Sequence, residues 1–252
     1  MTFGYATFVN APFDEPGSRL LLEPGLRSFY VDGHCQFWAT SPMSDGYYPW
    51  QPIRTGTLTA AQAQQLAADA GYDQWPAGRG DYTDGTQFDA PFTYLFDRDG
   101  KTSCAVACRP DAPAFVASMM TTMRDWHTTL YAQGTPVTTP MRARSVELLL
   151  NDPPYTVLPW PLATQVEAIE YDPSVSEYLG DAPLITDPAD LVKLRQLRSD
   201  VLALPLVPPG PAPRFAVRQV LDGEGNLAKM RYRVFFRDTL PFENEHGLIA
   251  LP

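Results

Sequence analysis

The chain has 252 residues, with 29 acidic side chains against 19 basic ones and a formal charge of −10. That length buries a core without metal or disulfide staples and fits one large domain or two small ones. The acidic balance argues against a nucleic-acid binder or a peripheral binder of anionic membranes, and no run of eighteen apolar residues exists to insert into a membrane.

The first element that the pattern predicts is a hairpin. Leu26–Val31 and His34–Ala39 are β-prone runs joined by Asp32-Gly33, a dipeptide suited to a two-residue turn with positive φ at both central residues. A loop through Asp45–Trp50 follows, then a short strand near Ile53–Leu58. Thr59-Ala-Ala-Gln62 opens a helix as a capping box, and Gly71 is its natural stop. Residues 72–91 read as irregular. A second hairpin runs from Phe92–Phe96, over Asp97–Gly100, to Thr102–Val106. The longest helix covers about 112–132, with Phe115, Met119, Met120, Met123, Trp126 and Leu130 on one face and Gly134 beyond its end.

Three strands are expected near Ser145–Leu150, Tyr155–Leu158 and Gln165–Tyr171. Asp187-Pro188 caps a helix that runs to Leu202, because a proline at the first helical position has no N–H to waste. The proline-rich stretch 205–213 is an extended connection. A last hairpin pairs Arg214–Leu221 with Asn226–Phe236. This order of hairpins and helices predicts an α+β fold, mainly antiparallel, with about three helices. Two domains are expected, 1–136 and 137–252, with a single domain as the alternative.

In the last hairpin, a loop over Asp222–Gly225 sets Arg218 opposite Lys229, Ala216 opposite Arg231 and Arg214 opposite Arg233. That register gathers the apolar side chains on one face and the basic ones on the other, whereas a one-residue slip mixes them. Carboxylates from elsewhere in the chain could cover such a ladder. The alternative is an anion-binding face, because the planar fork of arginine fits carboxylate and phosphate. Tyr47, Tyr48 and Trp50 cluster in a loop rather than on a periodic face and form a second candidate contact surface.

Cys35, Cys104 and Cys108 are the cysteines. On a straight strand Cys104 and Cys108 lie about 13 Å apart, so a disulfide between them needs the chain to fold back after Cys108, where Arg109-Pro110 permits it. Cys35 is the rival partner. No metal set is expected, since His34 is the one histidine near the cysteines and it alternates with Cys35. His127 reads as a residue on a helix flank. Asp97, Asp99 and Gly100 resemble the start of a calcium loop but read better as a turn, and Arg79-Gly80-Asp81 reads as a chance tripeptide.

No nucleophile elbow, zinc helix or phosphate loop is present. The sequence therefore points to a non-catalytic binding or interaction module with no cofactor, and to a protein, glycan or small anionic partner. Its site residues are Arg214, Arg218, Lys229, Arg231 and Arg233, with Tyr47, Tyr48 and Trp50. The N-terminus carries no basic and apolar signal, but Pro-rich, Asp-Gly-rich loops favour the bacterial cell envelope or exterior over the cytoplasm. The alternatives are a hydrolase using Glu245 and His246 or the acidic loop Asp81, Asp84 and Asp89, and a structural subunit of an assembly.

Overall fold

The computed structural model describes residues 3–8, 21–22, 27–41, 52–83, 92–105, 108–147, 156–164, 166, 168–172, 177–179, 183–204, 215–218, 232–243 and 249–250. They form a mixed α+β fold of two compact units. The first unit comprises Met1–Val137 with Leu240–Asn244 and Leu248–Pro252; the second comprises Thr138–Thr239 with Glu245–Gly247. The C-terminal residues from Leu240 on thus belong mainly to the first unit.

In chain order the first unit contains β1 (Phe3–Phe8), β2 (Leu21–Leu22), β3 (Arg27–Val31), β4 (Gln36–Ala39), β5 (Arg54–Thr57), α1 (Ala60–Asp69) and the single turn α2 (Trp75–Gly78). It continues through β6 (Gly80–Tyr82), β7 (Phe92–Asp97), β8 (Lys101–Cys104), α3 (Ala114–Gln133) and β9 (Thr135–Pro136). Eight strands make one sheet in the order β6-β8-β7-β1-β3-β4-β5-β9. All pairs are antiparallel except β6–β8.

Side chains alternate across a strand, and here both faces are apolar. Phe3, Tyr5, Phe29, Val31, Phe37, Ala39 and Leu95 face Leu66 of α1, Trp75 of α2 and Val116, Met119, Met123 and Leu130 of α3. The intervening residues Ala6, Tyr30, Trp38, Tyr94 and Phe96 form a second cluster with Ile53, Val137, Leu240 and Phe242. Phe242 stands edge-on to Trp38 at 5.6 Å and 4.9 Å from Tyr30. The central strand β1 was not expected from the sequence. Nor were α2 and β6, which occupy a stretch expected to be irregular.

The first hairpin forms, but its turn is not the expected one. Gly33 does not adopt positive φ; Cys35 does, at 62°. Val31 pairs with Phe37, and the N–H of Asp32 donates to the carbonyl of Gln36. The loop therefore holds three residues, a turn followed by a left-handed bulge position. Asp32 stabilises it by accepting from the N–H groups of His34 and Gln36 through Oδ1.

Thr59 and Gln62 form the reciprocal capping box, and Gly71 has φ of 56° just past the end of α1. Helix α3 covers Ala114–Gln133.

The second unit holds β10 (Met141–Glu147), β11 (Thr156–Pro159), β12 (Ala168–Asp172), β13 (Glu177–Leu179), β14 (Leu184–Ile185), α4 (Pro188–Leu202), β15 (Phe215–Arg218) and β16 (Tyr232–Asp238). Strand β17 (Ile249–Ala250) then pairs with β2 in the first unit. One edge of β10 pairs along its whole length with β16, antiparallel. Its other edge is shared by β14 at Met141 and Arg142 and by β12 at Ser145 and Val146, the latter parallel. Asp187 caps α4 by accepting from the N–H of Asp190. Helix α4 buries Leu191, Leu194, Leu197, Arg198 and Val201.

Candidate functional site

The expected basic ladder falls partly outside the described residues: Arg214, Lys229 and Arg231 lie there, as do Tyr47, Tyr48 and Trp50. Arg218 ends β15, which pairs with β11 in parallel. Arg233 sits within β16, whose partner over its described length is β10. This long-range pairing was not foreseen. It adds two arginine positions to the ladder.

The register is Arg142 with Arg237, Arg144 with Phe235 and Val146 with Arg233. By two-residue alternation, positions 142, 144, 233 and 237 share one side of the β10–β16 pair. The opposite side carries Met141, Ala143, Phe236 and Asp238, all buried. Here Arg198 of α4 meets the sheet: its Nη1 donates to Asp238 Oδ2 at 2.9 Å, and its guanidinium lies 5.8 Å from the Phe236 ring. Arg142 and Arg237 stand directly opposite one another, which costs up to about 1 kcal/mol for exposed like charges. Both are buried, and Arg237 Nη1 donates to the carbonyl of Asp238.

Cys104 and Cys108 are joined by a disulfide, with Cα atoms 4.6 Å apart. The chain doubles back after β8, and the N–H of Arg109 donates to the carbonyl of Tyr82 on β6. Cys35 is a free thiol. It precedes β4, four strand spacings from β8 in the sheet order, or roughly 19 Å.

Other candidate groups are held in structural bonds. The Arg79 guanidinium spans both oxygens of buried Asp97, which also accepts from the N–H groups of Asp99 and Gly100. That carboxylate closes the turn between β7 and β8. Asp81 accepts from the Thr83 N–H and hydroxyl and from the Ser103 hydroxyl. Partial burial works to raise its pKa, but these hydrogen bonds outweigh it and hold the carboxyl below its ordinary range. The Arg79-Gly80-Asp81 tripeptide is therefore tied at both ends rather than presented. Asp84, Asp89, Glu245 and His246 lie outside the described residues. Among the described residues, no group of three His, Cys, Asp or Glu side chains is placed to hold a metal ion, and no helix is long and apolar enough to cross a membrane.

His127 corrects a sequence expectation. It is not on the helix flank: it is fully buried in the core stripe of α3, while Trp126 is only partly buried. The Trp126 indole instead donates to Asp69 Oδ2 at 2.8 Å, linking α3 to α1. The sequence signal for His127 was its spacing of four from Met123 and three before Leu130.

No protein-family model, curated protein or solved structure matches the chain.

Proposed function

We propose that the protein is a non-catalytic binding module that recognises an anionic partner through the arginine-bearing side of β10 and β16, in an oxidising compartment such as the cell envelope or the exterior. The observation that carries this reading is the β10–β16 register, which collects positions 142, 144, 233 and 237 on one side in a chain of net charge −10. Arg142 and Arg237 are buried on that side, and this reading assigns partner contact to positions 144 and 233, further along the same pair. The Cys104–Cys108 disulfide supports the compartment, since disulfides persist where glutathione does not reduce them. Further support comes from Asp81 and Asp97, whose carboxylates serve local bonds rather than converging on a common point.

Retention on a heparin matrix at pH 7.5 and low salt tests the reading. A protein of this charge is repelled overall, so retention reports a local basic surface. The intact chain is expected to bind and to elute with salt, and R144Q/R233Q to flow through. An intact chain that flows through, or a variant that elutes unchanged, overturns the reading.

A further inference from the structure

Helix α3 seats Val116, Met119, Met123, Leu130 and Tyr131 in the core, and the same stripe carries His127 with no solvent exposure. Nε2 of His127 lies 2.8 Å from the carbonyl oxygen of Thr40. A carbonyl only accepts, so Nε2 carries the proton and donates it. Nδ1 is then a bare lone pair, and among the described residues it has no hydrogen-bond partner. The rings of Tyr5 on β1 and Tyr131 on α3 flank the imidazole, with centroids 6.4 and 6.5 Å away. Among the described residues, the charged group acting on it is Arg27 at the head of β3, a cation; Arg124 and Asp125 of its own helix act on Tyr5. A proton added at Nδ1 thus creates a buried imidazolium facing aromatic rings and a like charge, with no acceptor among the described residues. A leucine would fill this place in the stripe without that sensitivity.

We propose that His127 is an acid-operated latch: neutral, it lets α3 seat on the sheet, and protonated, it drives the helix off. Burial pushes its pKa down to about 4, from about 6.5 in an unfolded chain. The open state therefore binds the extra proton between these two values. Seating is complete above pH 6.5 and weakens as pH falls towards 4, where the opening equilibrium has risen by roughly a hundredfold.

The test is amide hydrogen exchange of the full chain from pH 7 to pH 4, with rates divided by the intrinsic rate at each pH, beside an NMR titration of the His127 ring. Wild-type peptides from 114–133 are expected to lose about a hundredfold in protection before peptides from 92–104 do. The imidazole should titrate over the same range, and H127L should keep its protection. Equal loss of protection in H127L overturns the proposal, as does a helix that stays protected to pH 4. If H127L does not fold, the wild-type titration decides: a ring that titrates away from the pH of opening refutes the latch.

Discussion

Replacing Arg198 by methionine tests how the second unit is held together. The change removes the Arg198 guanidinium from Asp238, whose side chain has no solvent exposure. Breaking a buried pair from one side costs about 3–5 kcal/mol, because burial withholds from the remaining charge the hydration it has in water. The intact pair is itself incompletely satisfied: Arg198 Nε and Nη2 are buried without partners among the described residues. Each such donor costs about 1–3 kcal/mol. Removing both charges should therefore recover most of what the single change loses, and R198M/D238L should be more stable than R198M. Urea unfolding of a variant that keeps Trp160 as its one tryptophan, the others replaced by phenylalanine, measures this by fluorescence, since that ring lies 6.1 Å from Phe236, on which Arg198 packs. An R198M variant within about 1 kcal/mol of wild type would refute the reasoning, the threshold being small against the 3–5 kcal/mol expected. So would a double variant less stable than the single one.

Two further changes probe the first unit. Replacing both Cys104 and Cys108 by serine opens a loop of sequence separation four, and chain entropy gives a loss of roughly 2 kcal/mol in thermal or urea unfolding; alkylation of the unreduced, denatured wild type should modify one cysteine, Cys35. In Gly4→Ala the new Cβ would collide with Cζ of Phe96, its cross-strand partner. The ring must move within a packed cluster, so a loss of about 1–3 kcal/mol is expected, read as a lower melting temperature.

Elements whose determinants are local were legible. Thr59 with Gln62 and Asp187 with Pro188 announce helix starts because the capping groups lie within four residues of each other. The two hairpins of the first unit were legible for the same reason. The strand β1 was not, because β3 and β7 bury it on both sides and both of its faces are apolar. Phe3 and Tyr5 alternate with Gly4 and Ala6, which differ from them in size rather than polarity. The turn at Asp32 was misplaced because Asp-Gly permits the tightest hairpin without demanding it; the Asp32 carboxylate, bonding to His34 and Gln36, selects the wider loop.

The candidate site was legible only in its residue type. A run of alternating arginines marks Arg231 and Arg233 as one side of a strand, but Arg142 and Arg144 join that side from β10, about ninety residues earlier in the chain. No local pattern reveals such a pairing. His127 hid for a related reason: a histidine at a core position differs from a flank histidine only in what the sheet brings against it, here Thr40 and Tyr5.

The most direct measurement is the salt dependence of affinity for a fluorescent heparin oligosaccharide, read by anisotropy on the intact chain and on R144Q/R233Q. If the arginine-bearing side of β10 and β16 is the binding surface, log Kd for the intact chain rises steeply with log salt. The variant should bind more weakly, with a slope smaller by about one for each arginine lost. Identical slopes for the two proteins, or no binding by the intact chain at low salt, would contradict it.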